Sequence, residues 1–369
     1  MESVVIKVMF QNVFLNKRIL ITGDTGFKGS WLAIWLNQLG AEVYGYALPP
    51  KNNYDNFVVC NLDKKINHLD GDIRDLEKLN NYFNNVKPDF AFHLAAQPLV
   101  LESYKNPHYT FETNILVTVN FFEAVRNTPS VKAAVNITSD KCYQNNEWVW
   151  GYRENDPMGG KDPYSASKGC SELVTNSYIN SFFKINSHCA IASARAGNVI
   201  GGGDWAEDRI VPDFFRSILN QDKMIVRNPD AIRPWQHVLE PLSGYLLLAS
   251  KLFLNANKFS GGWNFGPTDT STYKVSELIN SIIRFLGKGD VVFSDNPEKP
   301  HEANMLKLDI SKSNFNLNWE PILNFDQLIE FTVNGYVAQV ANDNLIDERI
   351  KQIDTYCKIA KLNNCSWID

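Results

Sequence analysis

A glycine-rich loop between a predicted strand and a predicted helix constrains the fold of this chain most. The apolar run Arg18–Thr22 is followed at once by three glycines spaced Gly-x-x-Gly-x-x-Gly, at Gly23, Gly26 and Gly29. The first glycine permits a tight turn, the second lets the backbone approach a pyrophosphate, and the third lets helix and strand pack closely. Free amides at the start of the helix attract phosphate charge, so the loop predicts dinucleotide binding. The alternative is a glycine-rich turn with no ligand.

Strand-like and helix-like patterns alternate through the first half of the chain. The predicted strands are Arg18–Thr22, Glu42–Tyr46, Ile66–Asp70, Phe90–Leu94, Val131–Ile137 and His188–Ala194, and the predicted helices are Lys28–Leu39, Asp75–Asn85, Pro107–Arg126 and Pro163–Phe183. Strands that alternate with helices imply right-handed crossovers and a parallel sheet. The pattern therefore predicts an α/β fold with a Rossmann-like doubly wound sheet.

The pattern changes after about Gly201, where glycine and proline separate shorter segments. We expect a dinucleotide-binding domain over residues 14–200, to which some later segments return. A smaller, mainly substrate-binding domain is expected over residues 201–340, followed by a C-terminal helical tail over residues 341–369. We find no internal repeat and no low-complexity tract.

The composition excludes several classes of protein. The chain has 369 residues and a net charge of −5, which provides no basic face for nucleic acid. Its six cysteines have neither Cys-x-x-Cys nor zinc-finger spacing, so we expect reduced thiols and no metal. No apolar run reaches the roughly 20 residues of a membrane span. The apolar start, Met1–Phe10, lacks a signal-peptide cleavage site, and the native start is Met1 or Met9. We expect a cytoplasmic protein.

A tyrosine and a lysine lie one helical turn apart in the predicted helix Pro163–Phe183. Tyr164 and Lys168 therefore project from the same face. A phenol ordinarily titrates near 10, and a nearby ammonium together with a positive nicotinamide ring lowers that value. Tyr164 could then take a proton from a hydroxyl while hydride leaves for the cofactor. A surface pair without function is the alternative for an isolated Tyr-x-x-x-Lys.

Polar residues also follow the strand Val131–Ile137. Thr138 and Ser139 offer hydroxyls, and Asp140 and Lys141 offer an acid and a base side by side. Ligands of a doubly wound sheet bind at the carboxyl ends of its strands. A capped turn with a surface ion pair is the alternative. A catalytic role is favoured when these residues are considered together with Tyr164 and Lys168.

The spacing of acidic residues does not decide between NAD and NADP. The second strand ends without the Asp or Glu that commonly binds the ribose of NAD. It also lacks an Arg that could bind the 2′-phosphate of NADP. Asp72, after the third strand, could accept a hydrogen bond from an adenine amino group. The alternative is a helix N-cap at Asp72 or Asp75.

Six longer strings of residues resemble the extended short-chain dehydrogenase/reductase family, and within it the CDP-glucose 4,6-dehydratase branch. The strings are Phe27–Leu32 (FKGSWL), His93–Val100 (HLAAQPLV), Thr138–Tyr143 (TSDKCY), Trp150–Glu154 (WGYRE), Arg195–Trp205 (RAGNVIGGGDW) and Arg233–Val238 (RPWQHV). The resemblance extends from about Phe14 to about Val340.

The resemblance implies a cofactor and a substrate. NAD would be bound by Gly23, Thr25, Gly26, Phe27, Lys28, Gly29, Asp72, Ile73, Leu94, Ala95, Ala96, Tyr164 and Lys168. CDP-glucose would be bound by Gln97, Ser139, Asn198, Arg209, Arg233 and His237. The arginines suit a diphosphate because their fork is planar and always charged, although a surface salt bridge is the alternative for each.

The resemblance also implies a reaction course. Tyr164 removes the proton of the sugar 4-hydroxyl, which Thr138 holds, as hydride passes from C4 to NAD. Asp140 protonates the leaving 6-hydroxyl, water is lost across C5 and C6, and hydride returns to C6. The net reaction is that of a hydro-lyase. Many relatives carry Glu at the position of Lys141, so Lys141 becomes the candidate base at C5.

Two alternatives remain for the function. Another nucleotide-sugar 4,6-dehydratase or a 4-epimerase is the nearest, but an epimerase needs no acid such as Asp140 at C6. A non-catalytic protein that senses NAD is less favoured, because it needs no such set of reactive residues.

Three further expectations follow from the resemblance. Leu101 and Glu102 stand where the family has an arginine, which removes one polar contact near the substrate, and Val117 replaces a glycine in a helix. The helices at Pro107–Arg126 and Pro163–Phe183 imply a homodimer, because such helices pair across a two-fold axis in the family.

Overall fold

The computed structural model describes residues 8–184, 187–268, 272–294, 305–341 and 344–368. Residues 1–7 lie outside this part. They include most of the apolar start that lacks a signal-peptide cleavage site. The strands are β1 Arg18–Thr22, β2 Glu42–Ala47, β3 Asn67–Asp70, β4 Phe90–His93, β5 Ala133–Ile137, β6 Ala190–Arg195, β7 Val199–Ile200, β8 Met224–Arg227, β9 Ile232–Arg233, β10 Gln236–His237, β11 Gly261–Asn264, β12 Tyr273–Lys274 and β13 Val291–Ser294. The helices are α1 Phe27–Gln38, α2 Asn56–Val59, α3 Leu76–Val86, α4 Val100–Lys105, α5 Pro107–Phe111, α6 Val117–Arg126, α7 Pro163–Ser181, α8 Ile210–Asn220, α9 Leu239–Leu254, α10 Ala256–Phe259, α11 Val275–Leu286, α12 Ser311–Leu317, α13 Phe325–Val340 and α14 Leu345–Leu362.

Seven strands form the central sheet in the order β11-β6-β5-β4-β1-β2-β3. Every neighbouring pair is parallel. The predicted Rossmann-like doubly wound sheet is therefore confirmed. The chain order reverses between β1 and β4, and this switch point opens a crevice at the carboxyl ends of the strands.

The alternation of side chains along the strands divides the core between the two faces of the sheet. Ile19 and Ile21 of β1 pack with α1, α9 and α14 on one face. Leu20, between them, packs with α3, α6 and α7 on the other. Since both faces are covered, the central strands carry nearly continuous apolar runs, which is why their positions could be predicted.

A second apolar cluster is built mainly from the later part of the chain. Helices α8, α11 and α13 enclose it, together with Trp205 and Trp235. Three short strand pairs, β7–β10, β9–β12 and β8–β13, lie in this part of the chain. Ile200, the last residue of β7, belongs to this cluster, and β7 begins only a few residues after the carboxyl end of β6. The cluster therefore lies beside the carboxyl edge of the sheet.

The helix predicted at Pro107–Arg126 is interrupted. It consists of α5, a single π-helical turn at Glu112–Leu116, and α6. An extra residue in a helical turn has no signature in apolar periodicity, so the pattern showed one continuous helix. Val117 begins α6 and is fully buried.

None of the described helices combines the length and the hydrophobicity of a membrane span. In the same part of the chain, no group of three or more His, Cys, Asp or Glu side chains has the arrangement of metal ligands.

Candidate active site

The glycine loop has the geometry that its sequence predicts. Gly23 adopts a left-handed φ of +80°, and a Cβ there would stand 2.6 Å from the backbone nitrogen of Ala95. A Cβ on Gly29 would stand 2.1 Å from the carbonyl oxygen of Gly23. Helix α1 begins at Phe27, and its N-cap, Gly26, supplies no side chain to its first amides. The loop therefore fits a pyrophosphate, which can bind those amides.

The other predicted cofactor residues also lie at the carboxyl ends of β1 to β4. The Thr25 hydroxyl donates to the carbonyl of Leu48, just after β2, at 2.9 Å. The Asp72 carboxylate, just after β3, accepts from Arg74 at 2.6 Å. Asp75, not Asp72, caps α3, so the carboxylate of Asp72 is not used as a helix cap. Ile73, Leu94, Ala95 and Ala96 follow the ends of β3 and β4.

Tyr164 and Lys168 lie on one face of α7, and both are buried. Burial raises the pKa of Tyr164 to about 12, although a hydrogen bond with Ser139 lowers it in part. The lowering was predicted for Lys168 together with the bound cofactor, so it stays a prediction; the protein chain by itself raises the pKa of Tyr164. The reason is that water, which stabilises a phenolate, is excluded from the ring, and this effect is larger than that of a neighbouring charge.

Two lysines near the phenol also respond to burial. Burial lowers the pKa of Lys168 to about 8 and that of Lys28 to about 8. The charges of Lys168 and Arg209 lower the pKa of Lys28 further, whereas that of Asp140 raises it. Lys168, Arg209 and Asp140 are therefore near enough to Lys28 for their charges to act on it.

Asp140 lies in the 3-10 turn that follows β5, with 1% of its surface exposed. One carboxylate oxygen accepts from the Ser139 hydroxyl at 2.9 Å. The other, Oδ2, has no hydrogen-bond partner among the described residues, and a Cβ on Gly197 would stand 1.9 Å from it. The charge of Asp140 also acts on Tyr164. The carboxylate thus lies beside the phenol, next to Lys141, which is half-buried.

A buried ion pair lies behind this site and was not predicted from the sequence. Glu172 follows Lys168 by one more turn of α7, and its carboxylate accepts from Arg195 at 2.8 Å. Thr138, the predicted ligand of the sugar hydroxyl, donates its hydroxyl hydrogen to the same carboxylate. The repeated four-residue spacing of Tyr164, Lys168 and Glu172 was the signal that could have revealed it.

The residues predicted to bind a nucleotide sugar fall into two groups. Arg209 forms an ion pair with Asp204 at 2.7 Å and remains about one-third exposed, at 32%. Arg233 is buried and donates to the carbonyl of Ile232 at 3.0 Å. Asn198 adopts a left-handed φ of 50° just after β6. These three lie between the sheet edge and the second apolar cluster.

Gln97 and His237 instead make contacts within the protein. The Gln97 side chain accepts from the amide of Leu99 at 2.5 Å and donates to Thr110 at 2.9 Å. His237 is 0% exposed and packs edge-on against Trp31 and Phe331. Their roles in substrate binding stay predictions, because neither side chain presents an open polar face in this structure.

A family model and one curated relative match most of the chain. The family model described as GDP-mannose 4,6 dehydratase matches residues 20–332. A CDP-glucose 4,6-dehydratase from Salmonella typhimurium strain LT2 is 47% identical over 350 residues, which cover 94% of this chain and 98% of the relative. A dTDP-D-glucose 4,6-dehydratase from Dictyostelium discoideum is 30% identical over 228 residues, which cover 58% of this chain and 51% of that one.

Solved structures share the fold at lower identity. A dTDP-glucose 4,6-dehydratase from Streptomyces venezuelae, with NAD and TYD bound, superposes with a TM-score of 0.75 at 22% identity, covering 89% of this chain and 99% of that one. A UDP-glucose 4-epimerase from Thermotoga maritima, with UDP-glucose, gives a TM-score of 0.76 at 22% identity, covering 88% and 99%. At this level of identity, the superpositions show that the fold is shared and nothing more.

Proposed function

This chain belongs to the GDP-mannose 4,6 dehydratase family, and we propose that it catalyses the 4,6-dehydration of CDP-glucose. The product is CDP-4-dehydro-6-deoxyglucose, and the enzyme is a hydro-lyase that uses NAD. The observation that carries this conclusion is the 47% identity with a CDP-glucose 4,6-dehydratase over 98% of that relative. The position of Asp140 beside Tyr164 supports dehydration over epimerisation, because only a dehydratase needs an acid for a leaving hydroxyl.

The glycine loop and the ends of β2, β3 and β4 would hold the dinucleotide. The uncapped amides of α1 bind its pyrophosphate, and Lys28 in the first turn adds positive charge. Bound there, NAD would supply a reversible hydride acceptor for the sugar, and because the hydride would be returned the net reaction would not be an oxidation.

Side chains of the protein carry out the proton transfers. Tyr164, as phenolate, takes the proton of the 4-hydroxyl, and Thr138 contacts the same hydroxyl. A ketone at C4 acidifies the proton at C5, which Lys141 removes. Asp140 then gives a proton to the departing 6-hydroxyl. Its buried Oδ2, for which the described part of the chain provides no hydrogen-bond partner, is the atom suited to face that group.

Arginines at the sheet edge provide a site for the diphosphate. Arg209 is held by Asp204 and keeps about one-third of its side chain exposed. Arg233 and Asn198 lie on the neighbouring strand and turn. We propose that residues 201–340 mainly hold the nucleotide sugar and that residues 14–200 mainly hold NAD.

Incubation with a panel of nucleotide sugars tests the function. The enzyme is mixed with CDP-, dTDP-, GDP- and UDP-glucose and with GDP-mannose, and products are identified by mass spectrometry and by magnetic resonance. We expect CDP-glucose to lose one water, with little change in the others. A change of sugar configuration at constant mass would point to an epimerase, and no change in any of them would contradict the proposal.

We also propose that the enzyme is a cytoplasmic homodimer. Large apolar side chains are exposed on the helices that the family resemblance assigns to a dimer interface, with Leu116 at 57% and Leu173 at 59%. Such side chains on adjacent helices favour burial against a second copy. Leu173→Glu should shift the protein towards monomers in analytical ultracentrifugation, whereas Phe315→Glu, at a site exposed elsewhere, should not. Monomeric wild-type enzyme would contradict the dimer.

A further inference from the structure

A serine hydroxyl lies between the proposed base and the proposed acid of the reaction. The Ser139 hydroxyl donates to Oδ1 of Asp140 at 2.9 Å. The same hydroxyl forms a hydrogen bond with the phenol of Tyr164. Ser139 is 6% exposed and Asp140 is 1% exposed, so bulk water has little access to these groups. The three side chains form one hydrogen-bonded path from the phenol to the carboxylate.

The path has a direction, because a hydroxyl oxygen carries one hydrogen and accepts two hydrogen bonds. In Ser139, the hydrogen goes to Asp140, and one lone pair accepts from the backbone amide of Lys141 at 3.2 Å. The other lone pair is left for the phenol hydrogen of Tyr164. When the phenol is ionised, the Ser139 hydroxyl can turn and donate to it, which lowers the pKa of Tyr164. The path can therefore pass a proton from Tyr164 to Asp140.

The proposed reaction leaves these two residues one proton out of balance. Tyr164 gains the proton of the 4-hydroxyl, and Asp140 gives a proton to the departing 6-hydroxyl. The proton removed from C5 cancels, because C5 regains a proton when hydride adds to C6. For the site to return to its starting state, one proton must pass from Tyr164 to Asp140 in each turnover, either within the protein or through solvent.

We propose that Ser139 relays the proton of the sugar 4-hydroxyl from Tyr164 to Asp140, so that this proton leaves on the eliminated water. The inference rests on the proposed function. The O–H bond of Tyr164 breaks as one forms on Ser139, and the original O–H bond of Ser139 breaks as one forms on Oδ1 of Asp140. Once the water has left, Tyr164 is again a phenolate and Asp140 a carboxylate, so no external acid or base is consumed.

Two properties of the site support this transfer. A half-turn of the Asp140 carboxyl group about its Cβ–Cγ bond, a broad torsion, brings the proton from the side of Ser139 to the position of Oδ2. A Cβ on Gly197 would stand 1.9 Å from Oδ2, so the missing side chain leaves the space for this turn. The pKa of water is about 15.7, above the pKa of about 12 of Tyr164, so transfer from the phenol to a departing hydroxide is favourable.

Single turnovers of Ser139→Ala test the relay. Enzyme loaded with NAD is mixed with CDP-glucose, and the absorbance of bound NADH rises on oxidation at C4 and falls after water loss. We expect the rise to persist and the fall to be slower by a factor of roughly 10² or more, the range of general acid catalysis. The difference from the wild type should shrink as pH is lowered, because solvent then protonates Asp140 instead.

Three variants separate the relay from damage to the fold. Ser139→Thr keeps a hydroxyl and should fall at nearly the wild-type rate. Ser250→Ala removes another buried serine hydroxyl, which donates to the carbonyl of Leu247 at 2.8 Å, and should leave the fall unchanged. Ser139→Gly also lacks the hydroxyl and suits the start of a helical turn, so it provides the measurement if Ser139→Ala does not fold.

A double variant asks whether Ser139 acts through Asp140. In the Asp140→Asn background the path has lost its acceptor, so Ser139→Ala should slow the fall no further. A wild-type rate of fall in Ser139→Ala, a slowing that low pH does not relieve, or an equal slowing in the Asp140→Asn background would overturn the inference and leave the proposed function intact. If the wild type dehydrates no nucleotide sugar, the proposed function and the inference both fail.

Discussion

Burial controls the ionisation of the residues around the phenol. It raises the pKa of Tyr164 to about 12 and lowers that of Lys168 to about 8, so each pKa shifts in favour of the neutral form, although Lys168 is still mostly charged at neutral pH. Proton removal by Tyr164 requires the phenolate, whose population rises with pH. Turnover should therefore depend on pH through this residue.

Tyr164→Phe should retain NAD binding and lose turnover by a factor of roughly 10² to 10⁴, the range of general base catalysis. NAD affinity is measured by fluorescence titration, and turnover by product formation. In the wild type, kcat should increase from neutral to alkaline pH, and this increase should be absent from the residual activity of the variant. Unimpaired turnover in Tyr164→Phe would refute the role of the phenol.

Asp140→Asn should affect water loss more than oxidation at C4. An amide cannot deliver the proton that the leaving 6-hydroxyl needs, whereas Tyr164 remains in place. Single-turnover experiments follow bound NADH by absorbance and product by mass spectrometry. We expect NADH to accumulate in the variant. Equal slowing of both steps would contradict the assignment of Asp140 as the acid.

The residues that we propose for the reaction were easier to predict from the sequence than the buried side chains that hold them in place. Tyr164, Lys168 and Asp140 stand in short local patterns, and the structure brings them together. Thr138 and Glu172 are 34 residues apart, and the bond between them depends on how α7 crosses the sheet. The rise in the pKa of Tyr164 that the protein chain causes by itself was not predicted, because burial follows from tertiary packing and has no local signature.

At the scale of elements, helix α14 secures the turn that follows β7. Arg349 of α14 is fully buried and donates to Asn56 at 3.0 Å and to the carbonyl of Gly335 at 3.1 Å. The backbone of Gly202 packs against this guanidinium, and its carbonyl accepts from Trp31 at 2.9 Å. The C-terminal helix thereby supports the segment that leads to Arg209.

Gly202→Ala should destabilise the protein by about 1–3 kcal/mol, the usual effect of overpacking. A Cβ there would stand 2.6 Å from the Cα of Gly335, which is backbone and cannot move aside. Gly266→Ala is the matched control, since its nearest neighbour would be 3.4 Å away. Chemical denaturation measures both free energies of unfolding. Equal stability of the two variants would contradict this packing.

Glu240 of α9 should make stability depend on pH. It is 2% exposed and accepts from the backbone amides of Ile322 and Leu323, and burial raises its pKa to about 7. The folded pKa lies above the unfolded value of about 4.3. The stabilisation is thus fully present below the unfolded pKa and is lost as pH rises to about 7. The loss is at most about 4 kcal/mol, since each unit of pKa corresponds to about 1.36 kcal/mol.

Denaturation of the wild type and Glu240→Gln at several pH values tests this dependence. The free energy of unfolding of the wild type should decline between about pH 4.5 and 7, relative to that of the variant, which has no carboxyl to titrate. The comparison of slopes removes any constant difference in stability. Parallel curves over this range would show that Glu240 titrates at an ordinary value.

At the scale of the whole molecule, the central sheet was predictable and the later region was not. Buried parallel strands such as β4 and β5 are continuous apolar runs, and helices such as α3 have a clear apolar face. In contrast, β7, β9, β10 and β12 have two residues each, and their pairing depends on contacts across the crevice. Strands this short carry no periodicity that a sequence can display.

The central claim is that one site oxidises C4, eliminates water, and reduces C6 of the same sugar molecule. The most direct measurement uses CDP-glucose labelled with deuterium at C4, followed by magnetic resonance of the product. The account predicts that the deuterium is found at C6 of CDP-4-dehydro-6-deoxyglucose. Loss of the label to solvent, or its retention at C4 with no water eliminated, would contradict the account.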